Sequence, residues 1–127
     1  MKVYERLAQS FIARTNCEQS NNRVGFENHT ETIERVCKDY LPHGSGFDSG
    51  SRFDFDKSRP DRLVIRADFH HMDENGFYCG WSEHEIIVTP SLAFRFDVKV
   101  TGRDKRGIKE YISDTFHYAL NDDVRDE

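Results

Sequence analysis

Apolar residues recur at helical spacing from the start of the chain. Val3, Tyr4, Leu7, Ala8, Phe11 and Ile12 share one stripe, which predicts an amphipathic helix over residues 2–15 that ends near Thr15-Asn16. After the polar link CEQSNNRVG, a second stripe of Phe26, Ile33, Val36, Cys37 and Tyr40 closes at Leu41-Pro42, because proline disfavours helical geometry in the residue before it. From Arg52 the period drops to two. Phe53 and Phe55 alternate with Arg52, Asp54 and Asp56, a short charged strand suited to a sheet edge. A second strand sets Leu63, Ile65, Ala67 and Phe69 against Arg62, Val64, Arg66, Asp68 and His70. A third directs His84, Ile86 and Val88 inward, and a fourth directs Leu92, Phe94, Phe96, Val98 and Val100 inward against Ala93, Arg95, Asp97 and Lys99. Ile108, Tyr111, Ile112, Thr115, Phe116, Ala119 and Leu120 then predict a third helix.

The expected architecture is α+β: a four-stranded antiparallel sheet with the helices packed on one face, in the order ααββββα. A chain of 127 residues forms one such domain, assigned to residues 1–121, with DDVRDE, residues 122–127, as an acidic tail in solvent. Asn75-Gly76 fits a two-residue hairpin loop, and counting outward from it opposes Leu63 to Val88 and Ile65 to Ile86, both apolar pairs on the core face. An odd-numbered loop around Thr89-Pro90-Ser91 keeps Phe94 and Phe96 on that face. The glycine-rich HGSGFDSGS, residues 43–51, runs from a helix into a strand, the reverse of a phosphate-binding loop, and reads as a helix-ending turn.

Ten Phe, five Tyr and one Trp exclude a disordered chain and point to a phenylalanine-rich core. A net charge of −5 argues against a protein whose main task is holding a nucleic-acid backbone. Cys17, Cys37 and Cys79 form an odd set without CxxC spacing, and the amino terminus has no apolar signal region, so a reduced, cytoplasmic protein is expected. Cys17 and Cys37 read as packing residues. No apolar run approaches the ~20 residues needed to span a bilayer. No membrane association and no cofactor are expected.

The densest chemistry lies in DFHHMDENGFYCGWSEHE, residues 68–85. The predicted register puts Asp68 opposite Glu83, His70 opposite Trp81 and Arg66 opposite Glu85 on the outer face, with His70 and Glu83 as diagonal neighbours. Two carboxylates and an imidazole so placed could hold a divalent metal or act as general acid and base, making Asp68, His70 and Glu83 the candidate metal and enzymatic cluster. Against this, HxH and HExxH spacings are absent, and Arg66, Arg95 and Lys99 can neutralise the carboxylates on a solvated face. His84, between apolar positions, is expected to be buried with one hydrogen bond. Cys79 and Ser82 lack the surroundings of a nucleophile, so no catalytic residue is assigned.

Phe77, Tyr78 and Trp81 cluster beside the turn, where they can either fold over the open end of the core or project as binding anchors. Rimmed by Asp73, Glu74, Glu83 and Glu85, a projecting aromatic hairpin suits a basic protein surface. In TGRDKRGIK, Arg103, Lys105, Arg106 and Lys109 gather at the expected start of the last helix, where the dipole disfavours positive charge, and form a candidate anion or nucleic-acid contact. Asp104 there can cap the helix and offset that charge. Val64, Ile87 and Ala93 on the outer face leave a homodimer open.

The order of LPHGSGFDSG, FHHMDENGFY, TPSLAFRFD and TGRDKRGIKEYI resembles that of small uncharacterised proteins encoded by phages, plasmids and integrative elements, over most of the chain. What the resemblance implies is context: accessory proteins that bind and block host machinery, defence systems included, as an anti-CRISPR does. The expectation is a non-enzymatic protein-binding module acting on a host protein or complex. A small metal-dependent enzyme is the alternative, and a nucleic-acid or nucleotide binder the third.

Overall fold

A computed structural model of the chain describes residues 1–42, 48–72, 75–91, 95–104 and 109–125. The elements run α1 (Val3–Gln19), α2 (Arg23–Tyr40), β1 (Asp48–Asp54), β2 (Leu63–Met72), β3 (Tyr78–Ser91), β4 (Arg95–Asp104) and α3 (Lys109–Asn121). The strands form one antiparallel sheet in the order β1-β2-β3-β4.

α1 is longer than its apolar stripe. Glu5 accepts the Lys2 backbone N–H at 3.1 Å, which satisfies one of the exposed donors at the helix start. Beyond Thr15 the polar residues Asn16 to Gln19 continue the helix, until Ser20 donates its hydroxyl to the Asn16 carbonyl and Asn21 turns the chain at φ +58°. Asn22 then caps α2 by accepting from the Gly25 N–H at 3.1 Å. The buried face of α1 is Val3, Leu7, Ala8 and Phe11, joined by Ser10 and Thr15, and Ile12 is 37% exposed. The stripe is therefore rotated from the expected one.

The core lies between the helices and one face of the sheet. Leu63, Ile65, Ala67 and Phe69 of β2 and Ile86 and Val88 of β3 meet Leu7 and Phe11 of α1, Ile33, Val36 and Cys37 of α2, and Phe116 and Leu120 of α3. Each fully buried Leu, Ile or Phe contributes about 1.5–3 kcal/mol relative to exposure. Aromatic rings occupy its centre: Phe69 lies 5.3 Å from Phe116 and 6.2 Å from Phe53, centroid to centroid. His84, 2% exposed, sits 5.0 Å from Phe116 with its Nδ1 3.3 Å from Ser113 Oγ, the buried position with a hydrogen bond expected of it.

Phe55 is buried just beyond β1, beneath the Arg14 side chain. That guanidinium lies 4.4 Å from the Phe26 ring centre and 5.2 Å from that of Phe55, and its Nε donates to Thr30 Oγ1 at 2.8 Å. Burial holds the Arg14 pKa below its ordinary value, with Glu18 and Asp56 opposing the shift. One cation thus joins α1, α2 and the end of β1.

Several boundaries differ from the sequence reading. β1 begins at Asp48, inside the segment read as a turn, and of that segment residues 43–47 lie outside the described residues. β3 continues through Thr89, Pro90 and Ser91, which pair with Asp97, Phe96 and Arg95, so those three residues are strand and not loop. The connection falls at residues 92–94, outside the described residues, as do Leu92, Ala93 and Phe94. The parity argument nevertheless holds, since Val88 opposes Val98 and Ile86 opposes Val100. Thr101 to Asp104 also belong to β4, and Asp104 opposes Ser82, so it does not cap α3.

Residues 122–125, after α3, are not a free tail. Val3 N–H donates to the Asp122 carbonyl at 2.9 Å, Val124 N–H donates to the Met1 carbonyl at 2.8 Å, and Lys2 Nζ lies 3.3 Å from an Asp123 carboxylate oxygen. Arg125 places its guanidinium 4.9 Å from the Tyr40 ring centre while its N–H donates to the Tyr40 hydroxyl. Residues 122–125 are thus mostly exposed yet hydrogen-bonded into the domain. Among the described residues, no helix is long and apolar enough to cross a membrane.

Candidate functional site

The β2–β3 pairing carries the surface of interest. Leu63↔Val88 and Ile65↔Ile86 are partners, as counted from Asn75-Gly76, and the same register opposes Arg66 to Glu85, Asp68 to Glu83 and His70 to Trp81. It does not arise from a regular two-residue loop. A type I′ loop needs positive φ at both central residues, yet of Asn75 and Gly76 only Gly76 has it, at +83°. The pairing near the turn is Met72↔Tyr78, which shifts to His71↔Gly80 one step along. Cys79 is therefore an extra residue on β3, a β-bulge, and Gly80 beside it has φ +137°, a conformation that suits glycine.

The bulge decides where Tyr78 points. Strict alternation along β3 would put Tyr78 on the core face with Ser82, His84 and Ile86. One added residue reverses that parity, and Tyr78 stands outside, its hydroxyl 3.4 Å from His70 Nδ1 and the two ring centres 5.9 Å apart. Phe77 is 71% exposed and Tyr78 54%, whereas Trp81 is half-buried. Phe77 and Tyr78 accordingly do not fold over the end of the core. The sequence signal for this was Gly80 inside a strand pattern, the usual mark of a bulge.

At one rung, Asp68 and Glu83 are flanked by Arg52 of β1, opposite Asp68, and by Arg103 of β4, opposite Glu83. At the next, Asp54 opposes Arg66 and Arg66 opposes Glu85. The outer face is thus a pattern of alternating charge, not a uniformly acidic one. Within it, partial burial raises the Asp68 pKa above its ordinary 3.8; Glu83 and Asp54 push the same way, and Arg66 and Arg52 oppose them.

Asp68, His70 and Glu83 share the outer face, yet among the described residues no group of three His, Cys, Asp or Glu side chains is arranged to hold a metal ion. His70 Nδ1 lies 3.4 Å from the Tyr78 hydroxyl. The metal assignment to these three residues is corrected accordingly.

Of the remaining expected site residues, Glu83 and Glu85 are half-buried on β3, and Asp73 and Glu74 lie outside the described residues. The basic group does not share a helix start. Arg103 is a strand residue opposite Glu83, Lys109 opens α3, and Lys105 and Arg106 lie outside the described residues. The helix-dipole argument for Arg103 therefore fails. Val64, counted toward a dimer surface, is 4% exposed within the single chain, where Ser58 Oγ accepts its N–H at 2.9 Å and donates to its carbonyl at 3.2 Å.

A separate open cavity of about 380 Å³ lies at the α1–α2 turn, lined by Cys17, Glu18, Asn21, Asn22, Arg23 and Phe26. Cys17 is half-buried at its wall, not packed in the core, whereas Cys37 is fully buried and its thiol is pushed up to about 12 by burial, with Glu34 adding to the shift.

No protein-family model, curated protein or solved structure matches the chain.

Proposed function

We propose that the chain is a non-enzymatic binding module that engages a partner protein through the β2–β3 hairpin. The observation that supports this most is the outward placement of Phe77 and Tyr78, large rings held in water at the end of an ordered sheet. Exposing two adjacent rings is costly in water, and such rings are enriched among the anchors that dominate interface energies. The bulge at Cys79 gives the exposure a structural cause, because a regular ladder would have turned Tyr78 inward. Trp81, the register partner of His70, extends the aromatic surface along β3.

The likeness to proteins of mobile elements supports a host defence complex as the first partner to test, with the chain acting as its inhibitor. The experiment is affinity capture from host lysate with the wild type beside Phe77→Ala/Tyr78→Ala, followed by titration calorimetry with the purified partner. The expected result is a stoichiometric partner whose affinity falls at least about 30-fold in the variant, the loss typical of an interface anchor, and is unchanged by EDTA. A partner held equally by both proteins, or one lost on chelation, would reject the reading.

A further inference from the structure

The charge of the chain is concentrated on this hairpin. From Leu63 to Ser91 there are five acidic residues against one basic residue, Arg66, so most of the net charge of −5 resides in the β2–β3 arm. The described part of that arm brings Asp68 and Glu83 to one rung and His70, Tyr78 and Trp81 to the adjoining positions of the same face.

We propose that this face recognises an arginine-rich segment of the partner protein, a guanidinium stacking on the His70–Tyr78 ring pair and bridging to the carboxylates of Asp68 and Glu83. The inference rests on the binding-module reading and adds the chemistry of its partner. Arginine is the side chain that combines a flat face for aromatic rings with a planar fork for carboxylates, whereas lysine offers a point charge. Asp68 and Glu83 are like charges at direct cross-strand positions, with Arg52 opposite Asp68 and Arg103 opposite Glu83, and an incoming cation relieves a repulsion at Asp68 that Arg52 and Arg66 only partly offset. A nucleic acid adds like charge beside these carboxylates, and an apolar partner offers neither of them a further counter-charge.

The test uses fluorescein-labelled nona-arginine and nona-lysine peptides, read by fluorescence anisotropy in low salt against the whole protein. The variants are Glu83→Gln, Tyr78→Ser and, as a control on an exposed face of α2, Glu31→Gln/Glu34→Gln, each checked for folding by circular dichroism. The expected result is nona-arginine binding that each hairpin variant weakens at least about threefold, the scale of one exposed charge contact. The α2 control leaves it unchanged, and nona-lysine binds at least about threefold more weakly. Equal weakening by the α2 control, equal affinity for the two peptides, or no binding overturns the proposal. A lysate partner lost in Phe77→Ala/Tyr78→Ala, with no response to nona-arginine, overturns the arginine assignment and leaves the binding module standing. Nona-arginine bound at the hairpin, with lysate capture indifferent to that double variant, supports the recognition chemistry and overturns the wider reading.

Discussion

Asp68 and Glu83 stand directly opposite one another across β2 and β3, two carboxylates at one rung of the sheet. The Asp68 carboxyl lies above its ordinary 3.8 in the fold, so the folded chain holds that proton more tightly than the unfolded chain does. Its contribution to stability is therefore full below pH 3.8 and is lost as pH rises through the folded value. Asp68→Asn should exceed the wild type in stability at neutral pH by up to about 1 kcal/mol, the scale of a like-charge cross-strand pair. Urea unfolding should show that advantage closing as the pH is brought below 3.8, and an advantage independent of pH would contradict it.

Arg14 is held by the Phe26 and Phe55 rings and by Thr30 Oγ1. Arg14→Ala should lower stability by about 1–3 kcal/mol, through the lost hydrogen bond and ring contacts together. Lysine keeps the charge but has neither the flat face nor the fork, so Arg14→Lys should recover only part of the loss. Full recovery in urea unfolding would show that charge alone matters there.

His84 and Phe116 link β3 to α3 in the centre of the core. Phe116→Ala removes the ring that also meets Phe69 and should cost about 3–5 kcal/mol. Ser113→Ala removes only the hydroxyl that bonds His84 and should cost about 0.5–1.5 kcal/mol. Paired denaturation curves measure both, and equal losses would mean that the hydroxyl matters as much as the ring.

Ending the chain at Asn121 removes the carbonyl and N–H that bond Val3 and Met1, together with the Arg125–Tyr40 contact. Two backbone hydrogen bonds of ordinary strength set the expected loss at about 1–3 kcal/mol. A thermal midpoint unchanged by the truncation would return residues 122–125 to the status of a solvent tail.

Cys37 is fully buried with its thiol pushed up to about 12, so a Cys17→Ser/Cys79→Ser variant should give no reaction with a thiol-specific reagent at pH 8 while native, and one reactive thiol on unfolding. Rapid native labelling would place Cys37 at the surface.

The helices and the sheet face were legible in the sequence because a single period ties each side chain to one side of its element. Leu63, Ile65, Ala67 and Phe69 can reach the core only together, and pairing them with Ile86 and Val88 leaves one register that keeps every apolar side chain inside. The same parity brought Asp68 opposite Glu83 and His70 opposite Trp81. It could not show what His70 would do next, since that depends on a ring eight residues away whose direction a bulge reverses.

Alternation and helical periodicity thus established the α+β class, the antiparallel β2–β3 register and the residues facing the core, all consequences of local geometry repeated along the chain. The direction of Tyr78, the seat of Arg14 between two phenylalanines and the docking of residues 122–125 came from the assembled fold. Each depends on residues brought together from separate elements, Arg125 and Tyr40 from 85 positions apart, and no local period records a meeting of that kind.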